Sequence, residues 1–141
     1  MSKILIPIAL LLLACIAPAA PVAARDPTAA SLARCLDDPA KASTGAQTDC
    51  EATATKAYDR RMNTAFAALA TRLPPEARAR LRQAQRAWLV FRDAEANARS
   101  ALYATRQGTM YVPMEANAET RLTRDRALQL EAYLRTLAID S

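Results

Sequence analysis

In the second half of this 141-residue chain, residues that break helices occur at only a few positions. After Gly45 they are Pro74, Pro75, Gly108 and Pro113. The stretches between them are rich in Ala and Leu, which favour helix, and aromatic side chains make up only 5% of the chain. A chain with this spacing is predicted to be all-α, built from long helices joined by short breaks.

The first long helix is predicted to begin at Thr48 and to end at Leu73. Thr48 and Glu51 have the spacing of a capping box, in which each side chain bonds a backbone N–H group near the other. Pro74 and Pro75 end this helix, and Pro75 suits the first turn of the next one.

A second helix is predicted from about Pro75 to about Tyr103, and a third from Pro113 toward the C-terminus, because apolar residues recur there at steps of three and four. Residues 106–113 interrupt this periodicity and are predicted to form an exposed loop. Short breaks between helices favour a small antiparallel three-helix bundle. The large side chains expected to dominate its alanine-rich core are Phe66, Trp88 and Phe91.

Residues 1–24 have the features of a secretory signal peptide, with Lys3, an apolar run and small residues at the end. The apolar run is too short for a membrane span. We therefore expect cleavage before Arg25 and export to the periplasm or the extracellular space. An alternative interpretation makes Cys15 the lipidated first residue of a lipoprotein, anchored to a membrane.

Cys35 and Cys50 remain after removal of this leader, and an even pair in an exported chain is normally oxidised. We predict one disulfide, which closes a loop of about fifteen residues and contributes about 3 kcal/mol. It would hold residues 25–47, predicted as an irregular arm with a short helical turn near 31–36, to the helical domain 48–141.

Histidine is absent from the sequence, which removes the commonest general base and the commonest metal ligand. The two glycines cannot build a glycine-rich phosphate loop. We predict a non-catalytic protein without metal or cofactor. The sequence has 19 Lys and Arg side chains; removing Lys3 leaves 18 against 14 acidic ones, so the mature chain carries a net charge of +4.

Polar side chains recur on the apolar faces of all three predicted helices. They are Asp59, Asn63, Gln85, Arg92 and Arg126. Because buried polar groups need partners, we predict an interhelical network in which Asp59 pairs with Arg126 or Arg92 and the amides fill the remaining positions. An acid with arginines and amides lacks a proton shuttle near neutral pH, so a structural role is favoured over a catalytic one.

Three motifs follow one another along the predicted helices. They read Asp59-x-x-Met62-Asn63-x-x-Phe66, then Leu81-x-x-x-Gln85-x-x-Trp88-x-x-Phe91-Arg92-Asp93, then Leu122-Thr123-x-x-Arg126-x-x-x-Leu130. Their order and spacing resemble the LprI-like domain family, named for a bacterial lysozyme inhibitor, over about residues 35–134. The resemblance adds Asp93 and Thr123 to the polar set.

Many members of this family carry a second cysteine pair, at positions that are Ala96 and Ala118 here. Loss of both cysteines together fits an apolar contact in place of a bridge. The contact between the second and third helices is then less constrained.

The resemblance implies a first hypothesis, that the protein inhibits lysozyme or a related muramidase. An inhibitor would present a group to the paired carboxylates of the glycosidase cleft, and the exposed loop offers Arg106 with Tyr103, Met110 and Tyr111. An ordinary solvated loop is the alternative interpretation. Since many animal lysozymes are strongly basic, a charge of +4 provides no electrostatic steering toward them.

A second hypothesis rests on Arg78, Arg82 and Arg86, which recur at four-residue intervals. Such a basic stripe would bind anionic envelope polymers or lipid head groups, although most stripes of this kind are solvated helix surface. A third hypothesis is a structural subunit whose partner covers the thin core. Nucleic acid is a poor partner for an exported chain without aromatic residues along the stripe, and membrane contact is expected only through a lipidated Cys15.

Overall fold

The computed structural model describes residues 26–139, and this part of the chain contains four α-helices and no β-strand. The helices are α1 (Pro27–Leu36), α2 (Thr44–Arg72), α3 (Pro75–Ala104) and α4 (Tyr111–Leu137), with a single 3₁₀ turn at Pro39–Lys41. The all-α prediction is confirmed here, but the helices number four rather than three. The predicted signal peptide and Cys15 lie outside the described residues.

Helix α1 occupies the segment that was expected to be an irregular arm. The Asp26 side chain caps it, accepting hydrogen bonds from the Thr28 and Ala29 backbone N–H groups at 3.1 and 3.2 Å. Pro27 occupies the first helical position, where its missing N–H costs nothing. The Asp26-Pro27 pair is a helix start signal, and it accounts for a full helix in a segment that lacks clear helical periodicity.

Helix α2 begins at Thr44, four residues before the predicted start. The Ser43 hydroxyl caps it by accepting from the Ala46 N–H at 3.2 Å. Thr48 lies inside the helix, where its hydroxyl donates to the Thr44 carbonyl at 2.7 Å. The predicted capping box is therefore wrong, and Glu51 is a buried side chain facing α4 instead.

The predicted disulfide is confirmed. It joins Cys35 in α1 to Cys50 in α2, with the two Cα atoms 5.9 Å apart. Because Cys50 is buried while α1 has no fully buried residue of its own, the bond fixes a short peripheral helix to the main body of the fold.

The core lies mainly between α2 and α4, which form the most extensive helix pair. Its members recur every three or four residues along both helices, with one contribution from α3: Ala54, Tyr58, Met62, Ala65, Leu69, Leu81, Ala127 and Leu130. Phe66 and Trp88 pack against its edge. Phe91 was expected in the core but is 50% exposed, because α3 contacts the core along a narrow stripe in which only Leu81 and Gln85 are buried.

Polar contacts fix the direction of the main helix pair. The Asn117 amide donates to Glu51 at 3.0 Å, the Thr55 and Thr120 hydroxyls are 2.9 Å apart, and Arg61 binds Glu131 further along. Residues further along α2 contact residues further along α4, so the two helices run in the same direction.

Over residues 26–139, no helix is long and apolar enough to cross a bilayer.

Candidate functional site

An ionic cluster joins α1, α2 and α4 at one side of the core. Arg61 binds both oxygens of Glu131, through Nε at 2.7 Å and Nη2 at 2.8 Å, and its Nη1 binds Asp26. The Tyr58 hydroxyl donates to Asp26 at 2.9 Å, and the Arg61 guanidinium lies 5.1 Å from the centre of the Tyr58 ring. With these groups bonded to one another, the cluster stabilises the fold and offers little to a ligand.

The pKa directions in the cluster agree with this geometry. Burial and the neighbouring Asp26 raise the pKa of Tyr58, so its phenol stays protonated and remains a donor. The hydrogen bonds from Arg61 to Glu131 and Asp26 raise the pKa of the guanidinium despite its partial burial. The sequence motifs did not include this cluster, because its hydrogen-bonded partners lie 32 to 70 residues apart along the chain.

We expect acid to destabilise the protein through Asp26. Burial raises the pKa of Asp26, but hydrogen bonds from Arg61, the Ala29 N–H and Tyr58 outweigh this and hold it below its usual value of 3.8. Folding thus favours the charged form. This contribution to the free energy of unfolding is present above pH 3.8 and is lost as the pH falls through the lower folded pKa. Urea unfolding from about pH 6 to about pH 2 measures it.

Asp26→Asn is the matched variant, since asparagine also caps a helix but does not titrate in this range. Its stability should be lower at neutral pH and should fall less steeply in acid than that of the wild type. Parallel pH profiles for the two proteins would show that Asp26 is not the group responsible.

A second buried polar group lies between α3 and α4. The Arg126 Nε donates to the Gln85 side-chain oxygen at 3.0 Å and its Nη1 donates to Gln129 at 2.6 Å, with the guanidinium 5.9 Å from the Trp88 ring centre. Burial lowers the pKa of Arg126. Two members of the predicted network, Gln85 and Arg126, therefore do pair across helices.

Asp59 does not join that pair, which corrects the predicted contact with Arg126 or Arg92. Its carboxylate accepts from the Asn63 amide at 3.0 Å, within one turn of α2 and open to solvent. The buried stripe of α2 runs through Tyr58 and Met62, one position away. That rotation of about 100° leaves Asp59 and Asn63 at the solvent-exposed rim of the core.

Five motif residues line an open cavity of about 540 Å³ between α2, α3 and α4, which we call the motif cleft: Asp59, Arg92, Asp93, Leu122 and Thr123. Its charged and hydroxyl groups are Thr55, Lys56, Asp59, Arg60, Arg92, Asp93, Arg99, Glu119 and Thr123. Their identified hydrogen bonds are mostly local. Arg92 donates to the adjacent Asp93 at 2.9 Å, and the Thr123 hydroxyl donates to the Glu119 carbonyl at 3.1 Å. The predicted single network is thus divided between a buried pair and a cleft.

A second surface, in contrast to the polar motif cleft, is apolar. It lies where α3 meets α4, in residues 103–114, which we call the loop end. Tyr111, Val112 and Pro113 belong to the first turn of α4, so the connecting loop is shorter than predicted. The rings of Tyr103 and Tyr111 lie 6.5 Å apart beside it. Gly108 has φ of 109°, which other residues rarely adopt, so this loop conformation depends on glycine.

The loop end combines exposed apolar side chains with one cation. Met110 is 60% exposed, Val112 and Met114 are also largely in solvent, and Arg106 is exposed at the loop itself. An adjacent open cavity has a volume of about 750 Å³. Because exposed apolar side chains gather here, the loop end is a candidate contact surface.

The floor of this larger cavity contains a buried acid, Glu51. One of its carboxylate oxygens accepts from Asn117, while the other has no hydrogen-bond partner among the residues that the structure describes. The spacing of Glu51 from Thr48 predicts a capping residue, because nothing in the local sequence distinguishes that role from a buried one.

The basic stripe on α3 lies apart from both of these surfaces. Arg82 and Arg86 are exposed and Arg78 is half-buried. None of the three lines the motif cleft or the loop-end cavity. The nearby Arg80–Glu76 pair at 2.9 Å is an exposed i, i+4 contact, which is typical of solvated helix surface.

The two alanines at the family's cysteine positions line different cavities. Ala96 faces the motif cleft near Leu122, whereas Ala118 lies beside Tyr103 and Met114 at the loop end. Near them, α3 and α4 are linked by the Arg99–Glu119 ion pair at 3.9 Å. This long contact constrains the helices less than a covalent bridge would.

The four helices and the disulfide between Cys35 and Cys50 define a small all-α domain over residues 26–139. A family model described as lysozyme inhibitor LprI matches residues 27–130. The chain therefore belongs to the LprI lysozyme inhibitor family, which confirms the resemblance read from the motifs.

Among solved structures, the chain is similar to an uncharacterised protein from Burkholderia thailandensis, with a TM-score of 0.72 and 33% sequence identity. The alignment covers 76% of this chain and 53% of that one, so the chain spans about half the length of its structural relative. No curated protein matches the sequence significantly.

Proposed function

We propose that this protein is an exported, non-catalytic inhibitor of lysozyme or of a related muramidase. The match to the lysozyme inhibitor family over most of the chain carries this proposal. Two features support export: the leader predicted from the sequence and the disulfide between Cys35 and Cys50. Export would deliver the protein to the compartment where such enzymes attack the cell wall.

The loop end is the surface that suits this role. A muramidase cleft contains paired carboxylates within a groove that binds sugar rings, so an inhibitor needs a cation surrounded by apolar groups. Arg106 is exposed, and Met110, Val112 and Met114 provide adjacent apolar area. Because the protein and many lysozymes are both basic, we expect the affinity to come from these apolar contacts rather than from long-range attraction.

We expect the mature protein to slow lysis of bacterial cell-wall suspensions by at least one class of lysozyme. The variant Arg106→Ala should raise the inhibition constant by about tenfold or more, as expected for loss of an interfacial arginine. The measurement is the lysis rate at increasing inhibitor concentration, with animal and bacterial muramidases tested in parallel.

The matched control is Arg82→Ala, which removes the same charge from an exposed position on α3. It should leave the inhibition constant unchanged. If lysis rates stay the same with a large excess of wild-type protein, for every muramidase tested, the proposed function is incorrect. Equal inhibition by wild type and Arg106→Ala would instead refute only the assignment of the loop end.

A further inference from the structure

Arg99 is a nearly buried arginine with poor bonding in the motif cleft. Its side chain is only 10% exposed, and its Nε is buried without a hydrogen-bond partner among residues 26–139. The Glu119 carboxylate lies 3.9 Å from Arg99 Nη2, about 1 Å beyond a charge-assisted hydrogen bond. A guanidinium desolvated in this way is costly unless an anion binds it.

The surroundings of Arg99 favour an anion. Lys56, Arg60 and Arg92 line the same cleft, so four basic groups face three acids there. Two of these acids, Asp59 and Asp93, already accept hydrogen bonds from protein donors. The third, Glu119, is 56% exposed and stays out of hydrogen-bonding range of Arg99.

We propose that the motif cleft binds the phosphate group of an organic ligand, with Arg99 as the anchoring residue. A guanidinium is planar and matches two phosphate oxygens at once, which an ammonium cannot do. The cleft, at about 540 Å³, is much larger than a phosphate, and Ala96 and Leu122 form an apolar wall for the rest of the ligand. This site is separate from the loop end and does not depend on the inhibition proposed above.

The test uses the purified, disulfide-bonded protein and three probes: inorganic phosphate, glycerol 1-phosphate, and vesicles containing phosphatidylglycerol. We expect saturable binding to at least one of them, measured by calorimetry for the soluble probes and by co-sedimentation for the vesicles. Arg99→Gln should weaken binding by about tenfold or more, the loss of one charge-assisted hydrogen bond. Glu119→Gln should strengthen it, because a competing negative charge beside Arg99 is removed.

Arg135→Gln is the matched control, since it makes the same charge change at an exposed position on α4, outside both the cleft and the basic stripe. It should bind as the wild type does. Binding of the small phosphates would identify the phosphate group itself as the determinant, and binding of vesicles alone would identify a lipid head group. Circular dichroism verifies folding of each variant, and the gain expected for Glu119→Gln cannot arise from unfolding.

Two results would overturn the proposal. One is the absence of saturable binding to all three probes. The other is equal loss of binding in Arg99→Gln and Arg135→Gln, which would show a diffuse effect of net charge instead of a site.

Discussion

Replacing Arg61 with alanine should lower the free energy of unfolding by about 3 kcal/mol. This is the lower end of the loss found when one partner of a buried ion pair is removed. Arg61 bridges Asp26 and Glu131, and these two acids are 9% and 26% exposed at their side chains. Without the guanidinium, both carboxylates remain close together and poorly hydrated. Urea unfolding near neutral pH, followed by circular dichroism, measures the loss.

Arg60→Ala is the matched control, because Arg60 is the neighbouring arginine on α2 and is exposed. Its effect should stay within about 0.5 kcal/mol, as for most surface substitutions. Asp59→Leu should also have little effect on stability, since the Asp59 carboxylate is bonded only within its own helix turn. Similar losses for Arg60→Ala and Arg61→Ala would mean that the ionic cluster does not stabilise the fold.

Removing the disulfide with the double substitution Cys35→Ser and Cys50→Ser should cost about 3 kcal/mol, from the loop-closure entropy that the bond removes from the unfolded chain. For a domain of this size, the loss corresponds to a fall in the melting temperature of roughly 10 °C. Differential scanning calorimetry of the oxidised wild type and of the double variant measures it.

Reduced wild-type protein should melt close to the double variant, and the double variant itself should be insensitive to reductant. An unchanged melting temperature on reduction would contradict this account. Because the disulfide and the Arg61–Asp26 contact both hold α1 against α2, combining their loss should be non-additive. Once α1 has detached, removing the second tether costs little more.

The sequence predicted the long helices well because their signals are local. The break at Pro74-Pro75 and the recurrence of apolar residues depend only on neighbouring positions. The start of α2 was misplaced for the same reason, since Ser43 and Thr48 both offer a hydroxyl with suitable spacing. In the folded protein Ser43 is the cap, and Glu51 packs against Asn117 of α4 instead of reaching back to Thr48.

The candidate sites were predicted less well. A helical periodicity places Asp59 and Tyr58 on adjoining faces, and a shift of one residue decides which of them is buried. Tyr58 is buried, so the residues predicted as an internal network instead line the motif cleft or pair locally. Gln85 and Arg126 are the exception, because both lie on the stripes that do face inward.

The sequence by itself determined the helical class, the disulfide and the family, since each depends on residue types at short or fixed spacings. Only the tertiary structure decided which polar groups are paired. The contacts of Arg61 with Asp26 and Glu131, and the poorly bonded Arg99, arise where three helices meet. Which side chains meet there depends on how each helix is rotated about its axis, and the packing of Tyr58, Met62 and Leu130 sets that rotation.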